Sequence, residues 1–294
     1  MKHQLKSIPL IIALGWGVFA CGSSNTNTER IGGEVIAEPV TPSLTLLWET
    51  PAELITNESV HFEPSNGNIY VTNIEGGPAE KDGVGSISII SKDGQIVERE
   101  WVKGLHAPKG MTVLDGKLYV TDVDALVEID LATGEILKKY EVENAQFLND
   151  ADTDGSRVYF TDMRANKILY LENGVIGTFA EDQPNINGLR IGPDKVLYGL
   201  DAEGFKKYDS DATFEVINDV VTGGDGLIIL DGSTFLVSRW KGEIYLIQDG
   251  KETLLLDTSA AESNTADIGF IPGENIVLVP TFFKDKVAAY RLAY

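Results

Sequence analysis

The chain has 294 residues, 43% of them hydrophobic, which is enough apolar sequence for the core of one large domain. Its formal net charge is -21 at pH 7, so repulsion from phosphate excludes nucleic acid as an expected partner. The negative charge could serve to keep an exported protein soluble or to attract cations, and both roles are compatible with the composition.

The N-terminal segment resembles a secretory signal. Lysines precede an apolar run over residues 8–20, which is short for a membrane-spanning helix. The only cysteine, Cys21, closes this run, and VFAC resembles the lipobox of bacterial lipoproteins, whose cysteine is acylated and becomes the mature N-terminus. We predict a signal peptide over residues 1–20, a lipidated Cys21 and a flexible polar tether over residues 21–42. An ordinary signal peptide with a stray thiol is the alternative.

The first predicted strand follows the tether. SLTLLWET, residues 43–50, comes before the first complete repeat of the chain. We expect this segment to supply the outer strand of the last repeat and so to close a ring without a covalent link.

The rest of the chain repeats one β-rich unit. Each unit has a short strand, a turn of Gly, Asp or Pro, a stronger strand such as LYVT, a second turn and a third strand, at a spacing of about 40 residues. Short antiparallel strands at this spacing, without helical periodicity, predict an all-β, six-bladed β-propeller over residues 43–294. The segments that open the six units are ESVHF, PKGMTV, LNDADT, INGLRI, GDGLII and ADIGFI.

The residue that begins each unit is polar or charged. In a propeller the first strand of each blade lines the central channel, so these residues should form a ring at one mouth. Carboxylates brought together there repel by a few kcal/mol at an effective dielectric of about 20, so they need a positive charge among them. A lysine or a bound cation could provide it, and ordinary turn formation is the alternative role. The six residues are Glu58, Lys109, Asn149, Asn187, Asp225 and Asp267.

The donor atoms predicted in this ring are oxygens of carboxylates and side-chain amides, without paired His or Cys. Such oxygens suit Ca²⁺ or another hard divalent cation and do not suit a structural zinc site. The ring therefore predicts a divalent-cation site at one mouth of the channel.

The turns after the second strands should open on the same face as the ring. They carry Arg164 in DMRANK, Arg239 and Trp240 in SRWKG, and Phe283 in PTFFKDK. Together with Lys109, these side chains are predicted to contact an anionic or sugar-like ligand. Solvated turn residues are the alternative for each of them.

Two Thr-Asp pairs, Thr121-Asp122 and Thr161-Asp162, recur at the ends of predicted strands. We interpret them as turn residues and not as catalytic groups. A serine triad lacks support, because the sequence has no GxSxG elbow between a strand and a helix.

Four of these motifs resemble the regucalcin/gluconolactonase family of six-bladed propellers. ESVHF, with Glu58, is similar to the acid motif of the family's first blade, and LND, with Asn149 and Asp150, to its third-blade substrate-side asparagine motif. NGL, with Asn187, and DGL, with Asp225, look like the segments that give the other two metal ligands. The resemblance implies a divalent cation held by Glu58, Asn187 and Asp225, with Asn149 nearby.

The characteristic activity of that family is metal-dependent hydrolysis of lactones. The resemblance implies that Asp225 accepts a proton from the attacking water and that Asn149 orients the substrate, beside a cation that polarises the carbonyl. We expect a monomeric, lactonase-like hydrolase of a small molecule, held outside the cytoplasm in a bacterial cell envelope through its lipid anchor alone. The alternative is a non-catalytic ligand- or protein-binding propeller in which Lys109 replaces the metal.

The lipobox interpretation gives a first testable prediction. The mature protein should begin at an acylated Cys21 and enter the detergent phase, whereas Cys21→Ser should stop the acylation. Mass spectrometry of the mature N-terminus and detergent phase partitioning measure these two properties. An unmodified wild-type chain that starts at another residue would contradict the interpretation.

Overall fold

The computed structural model describes residues 40–294, and these residues form a six-bladed β-propeller. Six sheets of four antiparallel strands make the blades, and the inner strands of neighbouring blades contact one another around a central channel. The predicted fold is confirmed. The predicted signal peptide, Cys21 and the tether up to residue 39 lie outside the described residues. In residues 40–294 no helix is long and apolar enough to span a membrane.

Each blade runs from an inner strand at the channel to an outer strand at the rim. Burial is greatest in the second strands, which are almost wholly buried, and lowest in the outer strands, which are largely exposed. Strand β1 (Ser43–Glu49) comes first, and the first three blades then comprise β2 (Asn57–Phe62), β3 (Ile69–Asn73), β4 (Gly85–Ile90), β5 (Ile96–Leu105); β6 (Pro108–Leu114), β7 (Lys117–Asp122), β8 (Ala125–Asp130), β9 (Ile136–Glu141); and β10 (Leu148–Thr153), β11 (Val158–Asp162), β12 (Lys167–Glu172), β13 (Val175–Ala180).

The last three blades follow the same plan with shorter inner strands. A 3-10 turn of three residues, Ser259–Ala261, precedes the sixth blade and is the only helical element in the described range. These blades comprise β14 (Leu189–Ile191), β15 (Leu197–Asp201), β16 (Gly204–Tyr208), β17 (Phe214–Asn218); β18 (Leu227–Ile229), β19 (Thr234–Arg239), β20 (Glu243–Gln248), β21 (Lys251–Asp257); and β22 (Gly269–Ile271), β23 (Ile276–Pro280), β24 (Val287–Ala293).

The N-terminal strand closes the ring. Strand β1 pairs antiparallel with β24, from Ser43 opposite Ala293 to Glu49 opposite Ala288. The backbone N–H of Thr50 continues this ladder by donating to the carbonyl of Val287 at 2.9 Å. The predicted closure by the N-terminal strand is confirmed, and backbone hydrogen bonds provide it.

The hydrophobic core lies between neighbouring blades. One cluster, for example, joins Tyr70 and Ile87 of the first blade to Leu118 and Val120 of the second. Because each blade is covered on both faces, its middle strands are apolar at nearly every position and do not alternate strictly. This explains why motifs such as IYVT and IVLV mark the blades in the sequence.

Glycines allow the inner strands to meet closely at the channel. A Cβ atom on Gly188 would lie 2.0 Å from the carbonyl oxygen of Asp225, and one on Gly226 would lie 2.2 Å from the backbone nitrogen of Ile268. Gly110 is similar, since its Cβ would lie 2.5 Å from the Cα of Asp150. The glycines of NGL and DGL therefore fix the spacing between blades and do not serve as turn residues.

Hydroxyl groups on the second strands join each blade to the next. Thr161 accepts a hydrogen bond from the N–H of Asp150 in its own blade at 3.1 Å and donates to the carbonyl of Asn187 in the next blade at 2.9 Å. Ser238 links Gly226 to Ala266 in the same way, at 2.7 and 2.8 Å. These bonds satisfy the backbone of the inner strands where the blades converge.

The aspartates that follow Thr121 and Thr161 organise turns, as the sequence predicts. Asp122 accepts the backbone N–H groups of His106 and Ala107 at 2.9 and 2.8 Å. Asp162 accepts the N–H groups of Gln146 and Phe147 at 2.8 and 2.9 Å. Each aspartate thereby holds the loop that enters its own blade.

The close approach of inner strands predicts a large difference between two glycines of one segment. Gly226→Ala should destabilise the fold by about 2–3 kcal/mol, because its methyl group would meet the backbone of the sixth blade. Gly232→Ala is the matched control, since a Cβ there has nothing within 4 Å. Thermal or denaturant unfolding measures both. Equal stability of the two variants would contradict the packing argument.

Candidate functional site

The inner strands bring the predicted ring residues to one mouth of the channel. Five of the six line a single cavity of about 420 Å³, and these are Glu58, Lys109, Asn149, Asn187 and Asp225. The sixth, Asp267, is buried next to them, where its Oδ2 accepts a hydrogen bond from Ser59 Oγ at 2.5 Å. The fold therefore brings the six residues together, five at the cavity and Asp267 beside them.

Three predicted ligands and catalytic residues form a chain of hydrogen bonds. Asn187 donates from Nδ2 to Asp225 Oδ1 at 2.9 Å, and Asn149 donates from Nδ2 to Asn187 Oδ1. Rotating a side-chain amide by about 180° exchanges the positions of its oxygen and nitrogen atoms. Asn187 can thus present either a donor or an acceptor to the carboxylates.

Asp150, which belongs to the LND motif but was not among the predicted ligands, completes the acidic cluster. One oxygen each of Glu58, Asp150 and Asp225 lie within 4.8 Å of one another. Opposed oxygen ligands of one Ca²⁺ ion, each at roughly 2.3–2.6 Å from it, would be about that far apart. The spacing of these carboxylates therefore fits a single divalent cation.

Asp150 reaches the channel because the inner strand bulges. In β10, Leu148 pairs with Asp162 and Ala151 with Phe160, so three steps on one strand match two on the other. The extra residue lets both Asn149 and Asp150 face the interior. The sequence offers one signal for this: the residue after the ring position is glycine in three other blades, Gly110, Gly188 and Gly226, but an aspartate here.

Buried oxygens at this site have no partner within the described part of the chain. Glu58 Oε2, Asn149 Oδ1 and both carboxylate oxygens of Asp150 are inaccessible and accept no hydrogen bond from residues 40–294. Unpaired buried acceptors are costly, and all four are hard oxygen ligands. The residues present therefore fit the divalent cation that the family resemblance implies.

The pKa values of the four carboxyl groups show the same shortage of positive charge. Burial raises the pKa of Asp225 to about 8, and repulsion from Asp267 adds to the effect. Burial also raises the pKa values of Glu58 and Asp150, with further increases from the neighbouring carboxylates. Without a cation, protons would neutralise much of this cluster at neutral pH.

The predicted counter-charge, Lys109, does not pair with the carboxylates. Its ammonium donates to the carbonyl of Ala107 at 2.9 Å and lies 4.4 Å from the ring centroid of Phe147. It forms no ion pair with any acid of residues 40–294, and burial lowers its pKa to about 8. Lys109 therefore faces the cavity as a separate polar group, which weakens the interpretation in which it replaces the metal.

Arg190 places a guanidinium beside Asp267, from a second layer of the channel. Its Nη2 lies 3.7 Å from Asp267 Oδ1, and its Nε donates to the carbonyl of Leu227 at 2.8 Å. Burial disfavours its charge, but Asp152, Asp267 and Asp150 hold its pKa above the usual value. The side chain also lines a smaller cavity of about 250 Å³ that contains none of the ring residues. Arg190 was not predicted as a site residue, because the predicted ring takes one residue from each blade and in this blade that residue is Asn187.

The predicted substrate-binding residues divide into two groups. Trp240 and Phe283 line the cavity above the ring, together with Lys109. Arg164 and Arg239 are not among the lining residues: Arg164 stacks 4.4 Å from the ring centroid of Phe147, and Arg239 pairs with Glu243 at 3.0 Å. Neither arginine therefore contributes to the walls of the cavity, which are apolar.

Comparison with solved structures places this architecture among known propellers. A gluconolactonase from Xanthomonas campestris matches with a TM-score of 0.62 at 14% identity, covering 88% of this chain and 99% of that chain. The chain shares the gluconolactonase propeller fold. A streptogramin B lyase matches with a TM-score of 0.61 at 14% identity, covering 86% and 98% of the two chains.

A chain of a nidogen/laminin complex also matches, with a TM-score of 0.59 at 16% identity over 69% of this chain and 80% of that chain. No protein-family model matches the sequence, and no curated protein matches it either. The resemblance inferred from the short motifs is confirmed at the level of fold, since gluconolactonase propellers are among the structural neighbours. Identities this low carry no statement about activity.

The raised carboxyl pKa values predict an unusual pH dependence of stability. An unfolded aspartate has a pKa of about 3.9, whereas Asp225 in the folded protein has a pKa of about 8. Between these two pH values the folded state binds more protons than the unfolded state. The free energy of unfolding of chelator-treated protein should therefore fall as pH rises, by up to about 1.4 kcal/mol per pH unit for each such carboxyl group. Glu63, whose pKa is lowered to about 2 by His61 and Ser65, acts only at lower pH.

Urea unfolding in chelator at pH 5, 6, 7 and 8 measures this slope. Asp150→Asn should make it shallower, because one buried carboxyl group is removed. Millimolar Ca²⁺ should abolish the slope in the wild type by pairing the ionised carboxylates. A midpoint that stays constant from pH 5 to pH 8 in chelator would contradict the assignment.

Proposed function

We propose that this protein is a divalent-cation-dependent hydrolase that opens a lactone bound in the cavity above the ring. The observation that supports it most is the set of buried, unpartnered oxygens of Glu58, Asn149 and Asp150 beneath an open cavity. Such a set is typical of a cation site, and a cation under a substrate pocket is typical of metal-assisted hydrolysis. The gluconolactonase propeller fold is consistent with this reaction class.

The cation would be held by Glu58, Asp225 and Asn187, as the family resemblance implies, with Asp150 as a further carboxylate in reach. When bound, it supplies Lewis-acid polarisation of the ester carbonyl and lowers the pKa of water. Ca²⁺ is the first choice because carboxylate and amide oxygens supply the whole donor set.

The protein's own groups then handle the proton. Asp225 receives one hydrogen bond at Oδ1 from Asn187, which leaves Oδ2 to accept the proton of the attacking water. The water oxygen bonds to the acyl carbon, and the bond from that carbon to the ring oxygen breaks. Asn149, whose amide lies at the same cavity, orients the ester.

The leaving ring oxygen needs a proton as the lactone opens. The ammonium of Lys109 lines the cavity, and burial lowers its pKa to about 8, which suits a general acid near neutral pH. After this transfer the product is a hydroxy acid, and the cycle closes when Asp225 releases its proton to solvent and Lys109 takes one up. This role differs from the counter-charge considered for Lys109 from the sequence alone.

We also propose that the protein works as a lipid-anchored monomer outside the cytoplasm, in a bacterial cell envelope. The support for this is the N-terminal sequence, in which an apolar run ends at Cys21 and a polar segment follows. The propeller would then meet the membrane through the anchor alone and take its ligand from the surrounding aqueous phase.

Asp225→Asn tests the proposed hydrolysis directly. The variant loses a ligand charge and the proton acceptor, so Ca²⁺ affinity should fall at least about tenfold and kcat at least about a hundredfold. Calorimetric Ca²⁺ titration and a pH-indicator assay on a lactone panel measure these quantities. Asp249→Asn, an exposed turn position with φ of 50°, is the matched control and should leave both unchanged. A wild-type protein that binds no Ca²⁺ and opens no lactone would instead support the binding-propeller alternative.

A further inference from the structure

We propose that the natural substrate is a lactone with an apolar alkyl or aryl substituent, and not a polyhydroxylated sugar lactone. This inference rests on the proposed lactone hydrolysis and adds the chemical class of the substrate. It replaces the sugar-like or anionic ligand that the arginine-containing turns predict from the sequence.

The cavity separates its polar and apolar surfaces by depth. Its floor is formed by the ring residues, whose amide and carboxylate groups would face an ester. At about 420 Å³ it falls within the roughly 300–1,000 Å³ of small-molecule sites. Its walls are formed by side chains without a charge, and these are Ile74, Pro78, Phe147, Met163, Trp240, Phe282 and Phe283.

The apolar walls stand on opposite sides of the channel. Phe147 and Met163 flank strands of the third blade, whereas Phe282 and Phe283 follow β23 of the sixth. Blades three apart in a ring of six face each other across the axis. A substituent that rises from an ester on the floor would therefore pass between two apolar surfaces.

The wall on the sixth-blade side is already assembled. Trp240 packs edge-on against Phe282 and Phe283, with centroid distances of 5.4 and 5.8 Å, and the two phenylalanines are 4.7 Å apart. Even so, Trp240 is 39% exposed and Phe283 is 62% exposed. A preformed aromatic surface that stays open to solvent gains from covering by an apolar ligand.

A sugar lactone would find few partners in the same place. Neither of the arginines predicted to bind it lines the cavity, since Arg164 stacks on Phe147 and Arg239 pairs with Glu243. The polar groups that do line the cavity are those required by the ester itself. Hydroxyl groups held between aromatic walls would lose water without new hydrogen bonds, which disfavours such substrates.

A homologous series of δ-lactones tests this proposal. With Ca²⁺-loaded protein, kcat/KM should rise about threefold for each methylene added to the substituent, from δ-valerolactone through δ-octalactone to δ-decalactone. Glucono-δ-lactone should be at least tenfold poorer than δ-decalactone.

Two variants test whether the aromatic wall causes the preference for apolar substituents. Trp240→Ala and Phe283→Ala should each reduce kcat/KM for δ-decalactone at least tenfold more than for δ-valerolactone. Phe214→Ala is the matched control, because Phe214 is an aromatic residue with 45% exposure on the outer strand β17, away from the cavity. It should not change the ratio between the two substrates.

The outcomes separate this inference from the proposed function. A flat series, or a preference for glucono-δ-lactone, would overturn the apolar substrate class and leave lactone hydrolysis standing. An unchanged substrate ratio in both aromatic variants would overturn the assignment of the wall. Failure to open any lactone in the presence of Ca²⁺ would overturn the proposed function and the inference together.

Discussion

The close approach of six inner strands around one channel governs the rest of this structure. At the channel the backbones of neighbouring blades meet where a Cβ would be 2.0–2.5 Å from the next strand at three glycines. The polar residues that begin or directly precede these strands lie at the channel. The same constraint that packs the blades therefore gathers six polar groups into one small volume.

This crowding connects stability to ligand binding. Glu58, Asp150, Asp225 and Asp267 are all nearly inaccessible, and like charges at such distances destabilise the folded state. The fold tolerates them because apolar clusters between the blades and hydroxyl bonds between the inner strands hold the ring together. The buried acidic cluster therefore lowers the stability of the folded protein, which is a common property of functional sites.

Much of the architecture can be predicted from the sequence because each blade repeats the same strand pattern and begins with one polar residue. Asp150 could not be predicted in this way, since a bulge in β10 adds one residue and turns a second side chain inward. The positions of Arg164 and Arg239 could not either. Side chains in exposed turns are directed by local partners, here Phe147 and Glu243, and no periodicity encodes those contacts.

The pairing of β1 with β24 has a topological consequence. Because Ser43 lies opposite Ala293, the two ends of the described propeller meet inside one blade, and the chain approximates a closed loop. The order in which the blades are connected is then arbitrary for the folded ring. A short linker between these ends, with new termini in an exposed rim turn, would give a circular permutant with the same channel, and such a turn would also accept an inserted domain.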